Sequence, residues 1–282
     1  MHDMLGVQHF DKLSAAWRQW VPRCSHAGCS RKPLANAVAR RHSGISLADR
    51  WYCSPECFER DAREKVAEIL SLRHTQEPPP ALRMPLGLLL VSRGVLTADQ
   101  LRVALDEQRI TSTNLGEVVQ QMGYASAEQV TAAVAAQWAC PVFSMGTVPS
   151  DLPIHLPRLL MESYGMVPVH FTEVNRRLMV GFVARVQHHI LYTIEHITCC
   201  TAVPCFITAR DYWTCLAAPA FRARENETVF ASVSNAAEIA QLTRNYVSQI
   251  GADRVRLGIC RDYLWARIRS RRNEMDLLFR VH

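Results

Sequence analysis

Residues 86–108 read LGLLLVSRGVLTADQLRVALDEQ, and residues 115–137 read LGEVVQQMGYASAEQVTAAVAAQ, so one pattern returns 29 positions later. Each copy opens with Leu-Gly, continues with apolar residues, places a second Gly seven positions after the first, and closes on Gln. Self-similarity at a fixed period indicates one supersecondary unit used twice. The repeat therefore determines how the centre of the chain is organised.

Each copy carries the start and stop signals of two helices. In the first copy, the apolar run 86–93 predicts a short helix that ends at Gly94, where a left-handed backbone favours glycine. Thr97 then caps a second helix, whose apolar residues recur at helical spacing. Gly123 and Ser126 occupy the same positions in the second copy. The repeat therefore predicts two helical hairpins packed as a pseudo-symmetric pair.

Gln108 and Gln137 continue the apolar stripe of each copy with a polar side chain. A buried amide needs hydrogen-bond partners. The two side chains are therefore expected either to cap nearby backbone or to face a ligand, within a repeat that otherwise forms core.

The duplicated motif resembles the N-terminal domain of type II secretion and type IV pilus assembly ATPases, the protein E family. In some members this motif binds cyclic di-GMP through an Arg directly before each Leu-Gly; this chain has Pro85 and Asn114 there, with Arg83 slightly upstream. The resemblance implies a partner protein in a secretion or pilus assembly and a nucleotide second messenger as ligand. The matching positions that would line the ligand are Leu86, Gly87, Gly94, Gln108, Leu115, Gly116, Gly123 and Gln137.

Length and composition place limits on the class of protein. The 282 residues are enough for two or three small domains, and no apolar run reaches the roughly 18 residues of a membrane helix. Residues 1–12 have no apolar signal core, so we expect a cytoplasmic protein whose ten Cys are reduced. The net charge of +6 is not by itself typical of nucleic-acid binding.

Four cysteines cluster near the N-terminus, as Cys24 and Cys29 and then as Cys53 and Cys57. Two close pairs separated by a short segment predict a tetrahedral, structural Zn²⁺ site, because four thiolates leave no open position for a catalytic water. His26 is an alternative ligand. The pattern resembles a treble-clef zinc finger.

The residues around the second pair predict a helix. Ser54 and Pro55 suit a cap and first turn, and the helix is expected to run from Glu56 to Leu72. Its apolar stripe consists of Phe58, Ala62, Val66, Ile69 and Leu70. In the first pair, Gly28 is expected to allow a tight turn.

The segment between the cysteine pairs is basic. Its charged residues are Arg31, Lys32, Arg40, Arg41, Arg50 and the single acid Asp49. Such a run is typical of a solvated loop, and the alternative is contact with nucleic-acid phosphates. The other cysteines are expected in the core: Cys140, Cys199, Cys200, Cys205, Cys215 and Cys260.

The remaining patterns predict a small α/β part and a last unit. A linker at 77–80 is followed by the repeat, then by an extended segment from Cys140 and the order helix–strand–strand–helix–strand–helix, like the rest of the family domain. Residues 231–251 predict a helix with an apolar side formed by Ala237, Ala240, Leu242, Val247 and Ile250. Strands are then expected at 254–260, 263–269 and 276–281, similar to the opening of the ATPase catalytic part.

These elements predict an α+β protein in three parts. A zinc-finger-like module with a helix covers 1–76, a secretion-ATPase N-terminal-like domain covers 82–221 (repeat 86–137, α/β part 140–221), and a truncated ATPase-like unit of one helix and antiparallel strands covers 225–282.

The sequence favours a non-enzymatic adaptor or regulator that acts by protein docking and ligand sensing. It contains no phosphate-binding Gly-x-x-x-x-Gly-Lys-Ser/Thr motif. The alternative is a zinc-finger regulator that binds nucleic acid. A third reading is an enzyme that uses thiols or histidines. His188, His189 and His196 suggest a metal site as an alternative to surface histidines, but no carboxylate lies at matching spacing.

Overall fold

The computed structural model describes residues 23–30, 44–71, 83–233 and 235–281. Two compact units divide the chain: residues 1–75 together with 226–282 form one, and residues 76–225 form the other. In the part of the chain that is described, no helix is both long and apolar enough to cross a membrane.

The first unit contains strands and helices from both ends of the chain. Its elements are β1 (Ile45–Leu47), β2 (Arg50–Tyr52), α1 (Pro55–Ser71), β6 (Glu227–Phe230), α9 (Ala236–Ile250), β7 (Arg254–Cys260), β8 (Tyr263–Arg269) and β9 (Glu274–Arg280). The six strands form one sheet in the order β2-β1-β7-β8-β9-β6. β1 pairs parallel with β7, and β6 pairs parallel with β9, whereas the other pairs are antiparallel.

This sheet corrects the prediction that 1–76 and 225–282 are separate modules. Both helices contribute to one apolar core with the sheet, which includes Phe58 and Val66 of α1, Val247 of α9, and Leu264 and Leu277 of the strands. The two segments join because β1 and β2, with three residues each, pair with β7 and become part of its sheet. The sequence did not indicate β1, β2 or β6.

Helix α9 also begins later than expected. The Asn235 side chain accepts hydrogen bonds from the N–H groups of Ala237 and Glu238, both at 3.0 Å, and so caps the helix at Ala236. The predicted start at 231 is therefore wrong. The buried side consists of Ile239, Ala240, Thr243 and Val247. Strand β9, in contrast, begins earlier than expected, at Glu274 and not at the predicted residue 276.

The second unit begins with the repeat. Its elements are α2 (Leu86–Ser92), α3 (Ala98–Thr111), α4 (Leu115–Gln121), α5 (Ala127–Gln137), α6 (Arg158–Tyr164), β3 (Met166–Thr172), β4 (Arg177–Phe182), α7 (His188–Thr198), β5 (Thr201–Phe206) and α8 (Ala209–Ala217). α2 packs on α5, and α3 packs on α4, so the two hairpins exchange contacts symmetrically. The predicted order from α6 to α8 is confirmed.

The predicted helix signals of the repeat are present in both copies. Gly94 and Gly123 have φ of +68° and +69°, the left-handed backbone expected after the short helices. Thr97 and Ser126 each accept a hydrogen bond from the residue three positions later, Gln100 or Gln129, whose side chain bonds back. These reciprocal capping boxes satisfy backbone donors at both helix starts.

The sheet of the second unit has the order β3-β4-β5. β3 and β4 are antiparallel, with an irregularity between Pro168 and His170. β4 and β5 are parallel, and α7 connects them. The buried side of α7 packs on this sheet with Ile190, Ile194 and Ile197. The extended segment expected after the repeat is also present, since Val142 forms a parallel bridge with Phe206.

Candidate metal centre

The two cysteine pairs meet at the point where β2 leads into α1. Cys24 and Cys29 flank a tight turn in which the Cys29 N–H donates to the His26 carbonyl at 3.1 Å. The Ser25 N–H donates to the Trp51 carbonyl at 2.8 Å, which ties this turn to β2. Cys53 follows β2, and Cys57 lies in the first turn of α1.

The four sulfur atoms have the spacing of a tetrahedral metal site. All four Sγ atoms lie within 4.8 Å of one another, and those of Cys29 and Cys53 are 3.5 Å apart. Zinc–sulfur bonds of about 2.3 Å place tetrahedral sulfur atoms roughly 3.8 Å apart. The four residues therefore fit Zn²⁺, and they are the one group of this kind within the described ranges.

Burial makes two thiols of this cluster, those of Cys53 and Cys57, hard to ionise without a cation because it raises their pKa. It raises the pKa of Cys53 to about 12, and hydrogen bonds and charge from the neighbouring thiols act in the same direction. Burial also raises the pKa of Cys57, although the Ser54 hydroxyl lowers it. A bound Zn²⁺ would reverse this balance because its charge stabilises the thiolates.

His26 has a different role from the predicted alternative ligand. Its Nδ1 lies 2.7 Å from Oδ1 of Asp61, and both side chains are mostly buried. Burial, with Asp61 as the next cause, raises the pKa of Tyr52 to about 12. His26, Asp61 and Tyr52 thus form a polar group that joins the first cysteine turn to β2 and α1.

Asp61 and Tyr52 were missed at the sequence level. Asp61 lies four residues after Cys57, so the two occupy one face of a helix. This spacing is the sequence feature that could have placed Asp61 next to the cysteine cluster. Gly28 lies in the tight turn that was predicted for it, with a φ that is not left-handed, and a Cβ there would lie 3.0 Å from the His26 ring.

Most of the helix predictions around the cluster are confirmed. α1 begins at Pro55 and buries Phe58, Ala62 and Val66, with Ile69 and Leu70 partly buried. The basic residues Arg31, Lys32, Arg40 and Arg41 lie outside the described residues, as does the linker 77–80. Asp49 and Arg50 are at the exposed turn between β1 and β2.

The expected ligand positions of the repeat fall into two groups. Leu86 and Gly87 meet Leu115 and Gly116: a Cβ on Gly87 would lie 3.2 Å from Cδ2 of Leu115, and one on Gly116 would lie 3.6 Å from Cδ2 of Leu86. Gly94 and Gly123 shape the backbone, with open space where a Cβ would stand.

The two Gln positions are half-buried. Nε2 of Gln137 donates to the Met84 carbonyl at 2.7 Å, so this amide caps nearby backbone, one of the two roles expected for it. Beside it, the guanidinium of Arg83 lies 3.5 Å from the centre of the Trp138 ring. Through these two contacts, the end of the second copy packs against residues 83 and 84, which lead into the first copy.

His188 and His196 are exposed, whereas His189 and most of the remaining cysteines are partly or fully buried. His188 packs near Trp138, and His189 packs edge-on to Tyr164, with ring centres 6.4 Å and 5.7 Å apart. The buried cysteines are Cys200, Cys205, Cys215 and Cys260, and Cys140 is half-buried. Cys199 is exposed, contrary to prediction, because it is the left-handed residue that ends α7.

Comparison with known proteins gives similarity over about half of the chain. No protein-family model matches, and no curated protein matches. A structure of MshE with cdg is 20% identical with a TM-score of 0.39, over 47% of this chain and 96% of that one. The N-terminal domain of XpsE is 10% identical with a TM-score of 0.36, over 46% and 90%. A second crystal form of that domain is 16% identical with a TM-score of 0.28, over 45% and 88%.

Proposed function

We propose that this chain is a non-enzymatic adaptor or regulator of a secretion or pilus assembly, which acts in the cytoplasm by docking on a protein partner. The observation that carries the proposal is the apolar surface of the first hairpin. Of ten large apolar side chains exposed in the described ranges, four belong to it and a fifth directly precedes it: Leu88, Val103, Leu105 and Ile110, with Met84 before them. Val103 and Ile110 are seven residues apart and so share one face of α3, and an exposed apolar face is typical of interaction sites.

The second hairpin supports this assignment by contrast. Its equivalents of Leu88 and Ile110 are Glu117 and Ala139. The equivalent of Leu105 is Val134, which is buried. α5 packs on β5, whereas the elements of the described chain that pack closely on α3 are the helices α2 and α4. The second hairpin thus contributes to the core of the unit, whereas the first hairpin has exposed apolar side chains.

Zinc has a structural role in this proposal. The four cysteines Cys24, Cys29, Cys53 and Cys57 complete a closed coordination shell, which supplies folding free energy and no site for a reacting water. Elemental analysis of purified chain tests this, with about one zinc per chain expected. Purified chain that contains no zinc, and that does not bind added Zn²⁺, would remove this part of the proposal.

Sensing of cyclic di-GMP is the second part of the proposal. The juxtaposition of Leu86 and Gly87 with Leu115 and Gly116 supports it, because the motif positions of both copies meet there. Isothermal titration with cyclic di-GMP at about 100 µM, well above ordinary ligand Kd values, provides the test. Absence of heat would remove ligand sensing and leave docking in place.

The docking function is tested in the organism that carries the chain. Deletion is expected to reduce pilus number or the amount of secreted protein, and the intact chain is expected to restore it. Ile110→Ser, at the most exposed of the five apolar side chains (79%), is expected to fold normally and to restore it poorly. The matched control is Val174→Ser, which is 98% exposed on a different turn. A deletion without effect on either process would refute the proposal.

A further inference from the structure

The sheet of the second unit has an unusual edge beside β5. After α5, the chain turns through Ala139, which has φ of +52°, and then runs along β5. The Phe143 N–H donates to the Phe206 carbonyl at 2.8 Å, and the Phe206 N–H donates to the Pro141 carbonyl at 2.9 Å. The segment 141–143 therefore acts as a short fourth strand.

The outer side of this short strand has unused hydrogen-bonding groups. Along a strand, the peptide groups of successive residues point to opposite edges. Pro141 and Phe143 face β5, so Val142 faces away, and Ser144 follows it on the same side. In the described part of the chain, the peptide groups of Val142 and Ser144 have no hydrogen-bond partner. The Val142 side chain is 45% exposed.

The opposite edge of the same sheet is protected. β3 contains Pro168 and an irregularity between Pro168 and His170. Proline and bulges are the usual means of preventing an edge strand from pairing with another chain. Pro141 does not protect the Val142 edge, because the side of Pro141 that lacks an N–H faces β5. Only one of the two edges is therefore blocked.

A cleft of about 520 Å³ lies beside the open edge. Residues 142–148 line one side, and the N-terminal halves of α5 and α8 line the other with Glu128, Thr131, Arg210 and Asp211. Two carboxylates and one guanidinium give this lining a net charge of −1. Backbone N–H groups and the Ser126 hydroxyl lower the pKa of Glu128, so its exposed carboxylate is ionised at neutral pH.

We propose that an extended segment of a partner protein adds to this edge as a strand, with apolar side chains at alternate positions over Val142 and a Lys or Arg beside Glu128. Strand addition uses the free N–H and C=O groups of an edge for affinity and side-chain pockets for specificity. The proposal rests on the docking function above, and it names the chemistry and place of a contact separate from the first hairpin.

Synthetic peptides provide the probe. A panel of eight-residue peptides alternates Val with Thr and carries one Lys, placed at each position in turn; binding to the full chain is read by fluorescence anisotropy. At least one peptide is expected to bind with Kd below about 1 mM. Its analogue with N-methylated alternate amides is expected to bind at least tenfold more weakly, because side chains are kept and donors are lost. Equal binding of both, or no binding in the panel, would overturn the proposal.

Amide exchange measured by NMR gives a residue-specific signature. Bound peptide is expected to slow exchange at Val142 and Ser144 at least tenfold. The Phe143 amide is expected to be unchanged, because Phe206 already accepts its hydrogen bond. Slowing at Phe143 without slowing at Val142 would contradict strand addition.

Two pairs of variants complete the test. Val142→Pro removes the outward N–H and is expected to weaken binding at least tenfold, whereas Val142→Thr keeps it and should bind normally. Glu128→Gln is expected to weaken binding of the Lys peptides three- to tenfold. Asp99→Asn is its matched control, because Asp99 is the equivalent residue of the first copy and does not line the cleft.

Two further outcomes are distinguishable. Concentration-dependent dimerisation that Val142→Pro abolishes would identify a second copy of the chain as the occupant and overturn the proposal of a partner peptide. If Val142→Pro unfolds by circular dichroism, the N-methylated peptides still decide the matter. Failure of the peptide tests together with a clear deletion phenotype would remove this edge contact only, and leave the docking function intact.

Discussion

Replacing Phe58 with Ala tests whether the cysteine module and the C-terminal strands fold as one domain. Phe58 is fully buried on α1, and its ring packs edge-on to Tyr52 with ring centres 6.2 Å apart. The same core contains Leu264 and Ala266 of β8, which is about 200 residues away in sequence. Loss of the ring should therefore destabilise β8 as well as α1.

The expected magnitude follows from the buried volume that is lost. Phe→Ala in a core costs about 3–5 kcal/mol, which combines the transfer of the ring from water and the cavity left behind. At about 1.4 kcal/mol per factor of ten, this is roughly two to three and a half orders of magnitude in the unfolding equilibrium. Amides of β8 that exchange through global opening should accelerate by the same factor.

Hydrogen–deuterium exchange read by mass spectrometry in excess Zn²⁺ measures this directly. Glu64→Ala is the control, since Glu64 is exposed on the same helix. It is expected to change β8 exchange little, because surface substitutions are usually within about 0.5 kcal/mol. If Phe58→Ala accelerates exchange in α1 and leaves β8 unchanged, the two segments are separate folding units and the single-domain reasoning is refuted.

Three further predictions concern the metal, the repeat and the buried charges. Because the thiol pKa of Cys53 is raised to about 12 and Zn²⁺ requires thiolates, zinc affinity in a chelator competition should rise between pH 6 and pH 8; a flat profile would argue against thiolate ligation. Gly123→Ala should cost about 1–2 kcal/mol in chemical denaturation because φ is +69°, whereas Gly146→Ala, with open space around its Cβ, should be near neutral. Asp276→Ala should cost about 3–5 kcal/mol of thermal stability, because Asp276 binds the buried Arg267 guanidinium through contacts of 2.8 and 2.9 Å; an unchanged melting temperature would contradict this.

Local signals account for what could be predicted from the sequence. The helices of the repeat are specified by residues within four positions of one another, such as Thr97 and Gln100, and these contacts form as expected. The cysteine spacing likewise specifies a metal cluster whose members approach each other across one turn and one helix start. In each case the partner of a residue is nearby in sequence, or its chemistry leaves few alternatives.

Strand pairing across the chain could not be predicted in the same way. Ser46 pairs with Arg254, and Leu47 pairs with Val255, yet three residues of β1 show no alternation that identifies a partner. β6 has a similar problem, because its four residues pair with β9 beyond an intervening helix. The contact of His26 with Asp61 was missed because it depends on how the first cysteine turn meets α1, and the spacing of Asp61 from Cys57 alone does not identify His26 as its partner.

The cysteine cluster and the sheet edge depend on each other. β1 and β2 are shorter than the usual five to six residues, so backbone pairing alone stabilises them weakly. β7 holds β1 on one side, while the Ser25–Trp51 hydrogen bond ties β2 to the first cysteine turn. A metal bound by both cysteine pairs would fix β2 between that turn and α1. With metal bound, the segment that carries the four cysteines would therefore complete the edge of a domain whose main strands come from the C-terminal end of the chain.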